Sequence, residues 1–199
     1  MTSRPAARHG RRQALHDHKR QAILGAARAV FLSRGLAGTT MRAIADAAGY
    51  VAGAVYAYFP TKEAIVGELL VQSLGNLSRA VKAAGSEAGL QAAAGALWAH
   101  YRSNPGELSL ALALLADGGA GLPPETGRQI NGRLIALLQA LAGSLRQEAG
   151  MPPPEAERAA VTLLATLAGL LLLQASGRLA MLGQDGDALV ASAIERLLR

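Results

Sequence analysis

Apolar residues recur every three or four positions along most of this chain and almost nowhere every two. That period belongs to helices that bury one face, so the pattern predicts an all-α protein of about nine helices. Ile23, Ala26, Ala27, Val30 and Phe31 mark the inner face of a helix over about 13–33, which Gly35 ends. Thr40 caps a short helix over 41–48, in which Met41, Ile44, Ala45 and Ala48 share a face and Gly49 stops the run. A second short helix follows over 52–58 and closes at Pro60. Thr61 opens the next, over 61–84, with Glu63 in the first turn where the helix dipole favours an anion. A break at 85–89 separates it from longer helices over 90–103, 105–116, 125–149, 155–176 and 187–198. Gly and Pro mark the joints, at 117–124, 150–154 and 183–186.

Charge divides the chain differently. Residues 1–63 hold ten Lys and Arg against three Asp and Glu, a net of +7, whereas 64–199 hold ten against eleven. A basic head on a nearly neutral body suits a polyanion partner. Residues 1–12 are polar and Arg-rich and are expected to form a disordered basic arm. The expected organisation is that arm, a DNA-binding domain over 13–60, and an effector-binding and dimerisation domain over 61–199. The chain lacks Cys, and no apolar core follows the N-terminal arginines, so a cytoplasmic protein without a secretory signal is expected. The longest apolar stretch, about 159–173, falls short of the ~18 residues that a membrane span needs, and no membrane partner is expected.

Two short helices joined by a tight Gly turn are the sequence form of a helix-turn-helix. Around that pair stand Ile23, Ala26-Ala27, Phe31, Gly35, Thr39-Thr40, Ile44-Ala45, Ala48-Gly49, Gly53, Val55-Tyr56, Phe59 and Lys62-Glu63. In this register, residues 20–69 resemble the DNA-binding domain of TetR/AcrR-type transcriptional regulators. The resemblance implies a homodimer whose first three helices bind a double-stranded DNA operator. It further implies that central helices enclose a small apolar effector and that the last two long helices pair the subunits. It also implies that Thr40, Tyr56 and Lys62 touch DNA phosphates, for which hydroxyl, phenol and ammonium donors are suited.

Two departures from that family's pattern bear on base reading. Val51 stands where a small hydroxyl residue usually starts the second short helix, and a Val side chain cannot cap it. Tyr50 takes a position that is usually aliphatic. Ala52, Gly53, Ala54 and Ala57 offer no long donor for bidentate contact with purine edges. Alanine methyls can meet thymine methyls, Arg42 is the nearest long donor, and Tyr50 is in reach of the groove. DNA shape, and Arg8, Arg11 or Arg12 in a minor groove, are further routes to specificity. The alternative reading is a nonspecific DNA-organising protein without an effector.

In the body, Trp98 and Tyr101 lie three apart on one helical face, and with Leu112, Leu115 and Leu137 they are the candidate pocket. Arg133 and Gln174 are the candidate polar anchors. Leu164, Leu167 and Leu171, with Leu189, Ile194 and Leu197 near the C-terminus, are the candidate dimer surface. No enzyme is expected. His16 and His18 lie two apart, on different sides of a helix, and no strand precedes a Gly-rich loop. Neither a cofactor nor a metal is expected.

Overall fold

The computed structural model describes the backbone of residues 4–116 and 118–199 and the side chains of 9–113 and 118–199. Among the described residues every regular element is helical. The chain divides into two compact units. The first comprises Met1–Leu69 with Gly119–Pro123, and the second Leu70–Gly118 with Pro124–Arg199.

The first unit is built on α1 (Arg4–Gly38), α2 (Met41–Ala48), α3 (Ala52–Tyr56) and the opening turns of α4 (Lys62–Ser103). Of the anticipated inner faces Ile23, Ala27, Val30, Phe31, Ile44 and Ala45 are buried, while Ala26, Met41 and Ala48 are half-buried; Val55, Phe59 and Ile65 complete the core. α1 departs from expectation at its start, where the segment read as a disordered arm is helical from Arg4 onward. Ala6, Ala7, Arg8, Arg11 and Arg12 are strong helix formers, and Pro5 sits in the first turn, where its missing N–H has no partner to lose. Gly35 (φ 67°) interrupts α1 near its end as expected. Thr39 is buried there and its hydroxyl donates to the Gly35 carbonyl at 2.7 Å.

The second unit contains the rest of α4, then α5 (Pro105–Ala116), α6 (Pro124–Ala149), α7 (Pro153–Ala175), the single turn α8 (Arg178–Met181) and α9 (Gly186–Leu198). The expected break at 85–89 is a kink within α4, confined to Ala88 and Gly89. Gly89 has φ 78°, a region that L side chains avoid, and the Glu148 carboxylate occupies the place of a Cβ. That carboxylate accepts from the Leu90 N–H, so α6 caps the second half of α4. α8 was not anticipated from the sequence.

α7 is the centre of this unit. Ala156, Ala160, Leu163, Leu167 and Leu171 recur at three and four and are buried against Leu90, Leu97, Leu141, Leu145, Val190 and Ile194. By length and composition α7 is apolar enough to cross a membrane, contrary to the sequence expectation. Its buried stripe is that of a core helix, and its opposite face is exposed.

Candidate nucleic-acid interface and ligand cavity

The turn between α2 and α3 sets the geometry of the first site. Thr40 caps α2 by accepting from the Ala43 N–H at 3.1 Å, which leaves its own hydroxyl proton free to donate outward. Gly49 ends α2 in the left-handed region at φ 72°. The chain then enters α3 at Val51, whose side chain makes no cap, as its chemistry requires. Val55 and Phe59 anchor α3 in the core, and this leaves the other side of α3 outward. Val51 is 76% exposed and Tyr56 53% exposed. Thr40 and Arg42 are exposed, while Tyr50, Ala52, Ala54 and Lys62 are half-buried. Thr61 caps α4 through the Ala64 N–H, placing Lys62 in the first turn, 3.9 Å from the Glu63 carboxylate.

Three residues of α1 contribute to this unit in ways not foreseen. Arg20 makes a two-pronged ion pair with Glu68 of α4 while its guanidinium stacks over the Phe59 ring at 4.7 Å. The pair fixes α1 against α4 directly beside the end of the helix-turn-helix. Lys19 joins Tyr50, Ala54, Ala57 and Tyr58 around a surface hollow of about 160 Å³. His16 stacks on Tyr58 with ring centres 4.7 Å apart. The sequence signal for Lys19 was only its four-residue lead on the buried Ile23, which does not say which element it faces.

The second site is a cavity of about 100 Å³ in the second unit. Leu70, Leu74 and Tyr101 of α4, Leu108, Ala111 and Leu112 of α5, Ile130, Leu134 and Leu137 of α6, and Leu164 and Ala168 of α7 line it. Of the candidate pocket residues, Tyr101, Leu112 and Leu137 are therefore brought together. The side chain of Leu115 lies outside the described residues. Leu164, assigned from sequence to the dimer surface, lines the cavity instead. The missed residues did carry a signal, since Leu70/Leu74, Leu108/Leu112 and Ile130/Leu134 are each four apart, but every buried helix in this chain shows the same spacing.

The other candidates lie elsewhere. Trp98 is buried at the start of α9, over Gly186, and its indole N–H donates to Asp187 Oδ1 at 2.6 Å. Arg102 closes the same cluster with two bonds to Asp187, at 2.7 and 2.8 Å. The Arg102 guanidinium, and after it the indole N–H, hold the Asp187 carboxyl below the usual aspartate range. Arg133 is exposed and lies across Gly75, and Gln174 is exposed near Gly186. Neither lines the cavity.

Of the candidate dimer residues, Leu167 (0% exposed), Leu171 and Ile194 are packed inside the chain's own core. Their side chains have no surface left for a partner. Leu189 and Leu197 are half-buried. The exposed face of α7 is instead Val161, Ala165, Gly169 and Leu172, the last 54% exposed, at spacings of four, four and three. Met181, Leu182 and Leu198 are further exposed apolar residues of this unit.

Comparison with known proteins agrees with both units. The family described as bacterial regulatory proteins, tetR family, matches residues 23–69, and a tetracyclin repressor-like C-terminal domain matches residues 90–197. The HTH-type transcriptional repressor KstR2 of Mycobacterium tuberculosis is 48% identical over 54 residues, 27% of this chain and 27% of that one. Its counterpart from Rhodococcus jostii is 46% identical over 52 residues, 26% of each. The chain thus matches about a quarter of the length of these curated relatives. A transcriptional regulator from Rhodococcus sp. Rha1 shares the fold with TM-score 0.73 at 22% identity, over 90% of this chain and 95% of that one. The fatty acid degradation regulator FadR of Bacillus halodurans does so with TM-score 0.67 at 20% identity, over 90% and 94%.

Proposed function

Because the chain belongs to the TetR family of bacterial transcriptional regulators, we propose that it is a cytoplasmic repressor which binds a palindromic operator as a homodimer and leaves it when a small apolar effector fills the cavity. The observation that carries this reading is the outer side of the helix-turn-helix. Thr40, Arg42, Val51 and Tyr56 are exposed around one short turn, and Lys62 stands in the first turn of the next helix. Thr40, Tyr56 and Lys62 hold the backbone phosphates, and Arg42, Tyr50, Val51, Ala52 and Ala54 face the bases. With no long donor on α3 itself, specificity rests on methyl contacts, on Arg42 and on DNA shape.

Dimerisation uses the exposed stripe of α7, where Ala165 and Gly169 permit close approach between helices and Val161 and Leu172 supply apolar area. Leu189 and Leu197 of α9 contribute from its half-buried side. Such a dimer places its two α3 copies about 34–36 Å apart, or a multiple of that, to meet successive major grooves. The effector acts by binding more tightly to the conformation that does not fit DNA, since only differential affinity shifts a two-state equilibrium.

Footprinting on genomic fragments at moderate salt tests the reading. The expected result is a protected palindrome with half-sites one helical turn apart or a multiple of that. Protection without a preferred sequence, falling steeply with salt, would instead mark a nonspecific DNA-organising protein.

A further inference from the structure

One polar group breaks the apolar wall of the cavity, and its surroundings narrow the ligand that fits. Tyr101 is only 7% exposed. Its hydroxyl makes no hydrogen bond to any described residue, whereas every fully enclosed side-chain nitrogen or oxygen among them has a partner. The hydroxyl therefore keeps some accessible surface, and Tyr101 is the one lining residue of the cavity with a polar side chain. A largely buried phenol without a protein partner has its proton available to a ligand acceptor, and that bond is stronger away from bulk water.

The phenol is kept as a donor. Burial, and after it the nearby Glu107 carboxylate, push its pKa up to about 12. Glu107 is fixed in place: it accepts from the buried Ser73 hydroxyl and pairs with His100 Nε2 at 3.1 Å. A carboxylate thus stands close to the cavity's one polar group, and no Lys or Arg lines the wall. An anion entering here sheds its hydration without gaining a counter-charge.

We propose that the cavity takes a compact neutral ligand bearing a carbonyl acceptor of the ketone, ester or amide kind, that the Tyr101 hydroxyl holds that oxygen, and that carboxylates are refused. This rests on the reading of the cavity as the effector site. The volume of about 100 Å³ is smaller than the ~150 Å³ of an apolar cavity known to take benzene, which limits the ligand to a small ring or less.

Three probes of one ring size separate the terms: cyclohexanone, methylenecyclohexane and cyclohexanecarboxylate, titrated into the full-length protein by calorimetry. The ketone is expected to bind roughly fivefold to tenfold more tightly than the hydrocarbon, the value of one hydrogen bond, and the carboxylate more weakly than either. Tyr101→Phe keeps the ring and should erase the ketone's advantage while leaving the hydrocarbon's affinity unchanged. Equal affinity of ketone and hydrocarbon for the unaltered protein overturns the proposal. So does a preference that survives Tyr101→Phe, or a carboxylate that binds best. Ala111→Phe, which fills the cavity from α5, should abolish binding of both neutral probes. Probes that bind this variant undiminished, or that fail to bind the unaltered protein, overturn the effector-site reading as well. A ketone preference missing from the unaltered protein, or surviving Tyr101→Phe, while Ala111→Phe still abolishes binding, overturns the role of Tyr101 and leaves the effector-site reading standing.

Discussion

The first unit carries its candidate site on exposed side chains, and the second carries its own in a partly open cleft between core helices. In the first, buried Val55 and Phe59 exist to hold exposed Tyr56 and Val51 outward, so core and site are different residues. In the second, Leu137 and Leu108 are core and cavity wall at once. A surface site tolerates substitution without loss of fold, while a cavity is defined by the packing that surrounds it. Function and stability should therefore separate cleanly in the first unit and only partly in the second.

The largest expected effect tests inside against outside on a single helix. Leu167→Glu buries an unpaired carboxylate at the centre of α7 and should abolish cooperative thermal unfolding, at a cost of several kcal/mol. Leu172→Glu, on the exposed face, should leave the melting transition within about 1 kcal/mol of the original and yield monomers in sedimentation. A Leu172→Glu protein that stays dimeric would remove this face from the interface.

Next comes the separation of binding from folding in the first unit. Lys62→Ala should weaken binding to all DNA sequences alike and flatten the salt slope by roughly one unit, with circular dichroism unchanged. An altered sequence preference with an unchanged slope would place Lys62 at a base edge instead of a phosphate.

A smaller and opposite effect is expected at the start of α3. Val51→Ser supplies the missing cap to an exposed position and should stabilise the protein by about 0.5–1 kcal/mol in urea unfolding. If Val51 faces the bases as proposed, the same change removes apolar methyl surface there, so operator affinity should fall while stability rises. A parallel change in both would show that Val51 contributes to folding alone.

The smallest effect concerns Asp187. Its carboxyl lies below the usual aspartate range in the folded protein because Arg102 and Trp98 donate to it. Its contribution is present above the pKa of the unfolded chain and is lost as pH falls through the lower folded value. Trp98 fluorescence should therefore hold constant through neutral and mildly acidic pH and change only below the ordinary aspartate range. Asp187→Asn should remove that acid transition.

The contrast between the units also explains what could be read in advance. Thr40, Gly49 and Thr61 announce themselves because capping and left-handed turns accept few residue types, and the register they set locates the rest of the head. The kink of α4 was foreseen as a break for the same reason, from Gly89. Leucine gives no such cue. Leu164, Leu167 and Leu172 are the same residue type on one helix, yet one lines the cavity, one is core and one is exposed. Only the direction of each neighbouring helix decides among these, and an apolar period does not encode it. Trp98 was drawn to the pocket by proximity to Tyr101, but three residues along a helix also turn a side chain by about 60°. That turn suffices for Trp98 to meet α9 while Tyr101 borders the cavity.

The course of α4 has a consequence for inheritance. Its residues up to Leu69 belong to the first unit and those from Leu70 onward to the second, so the boundary in the chain falls within a helix. The segment Gly119–Pro123 also belongs with the first unit, where Gly121 lies against Glu63. A recombination event that exchanged DNA-reading heads between relatives would have to cross over in mid-helix without shifting its phase. It would also have to preserve or bring along a second, distant segment. Lineages of such regulators should therefore acquire new operators by point substitution around α3 more readily than by shuffling, and chimeras engineered here need two junctions, not one.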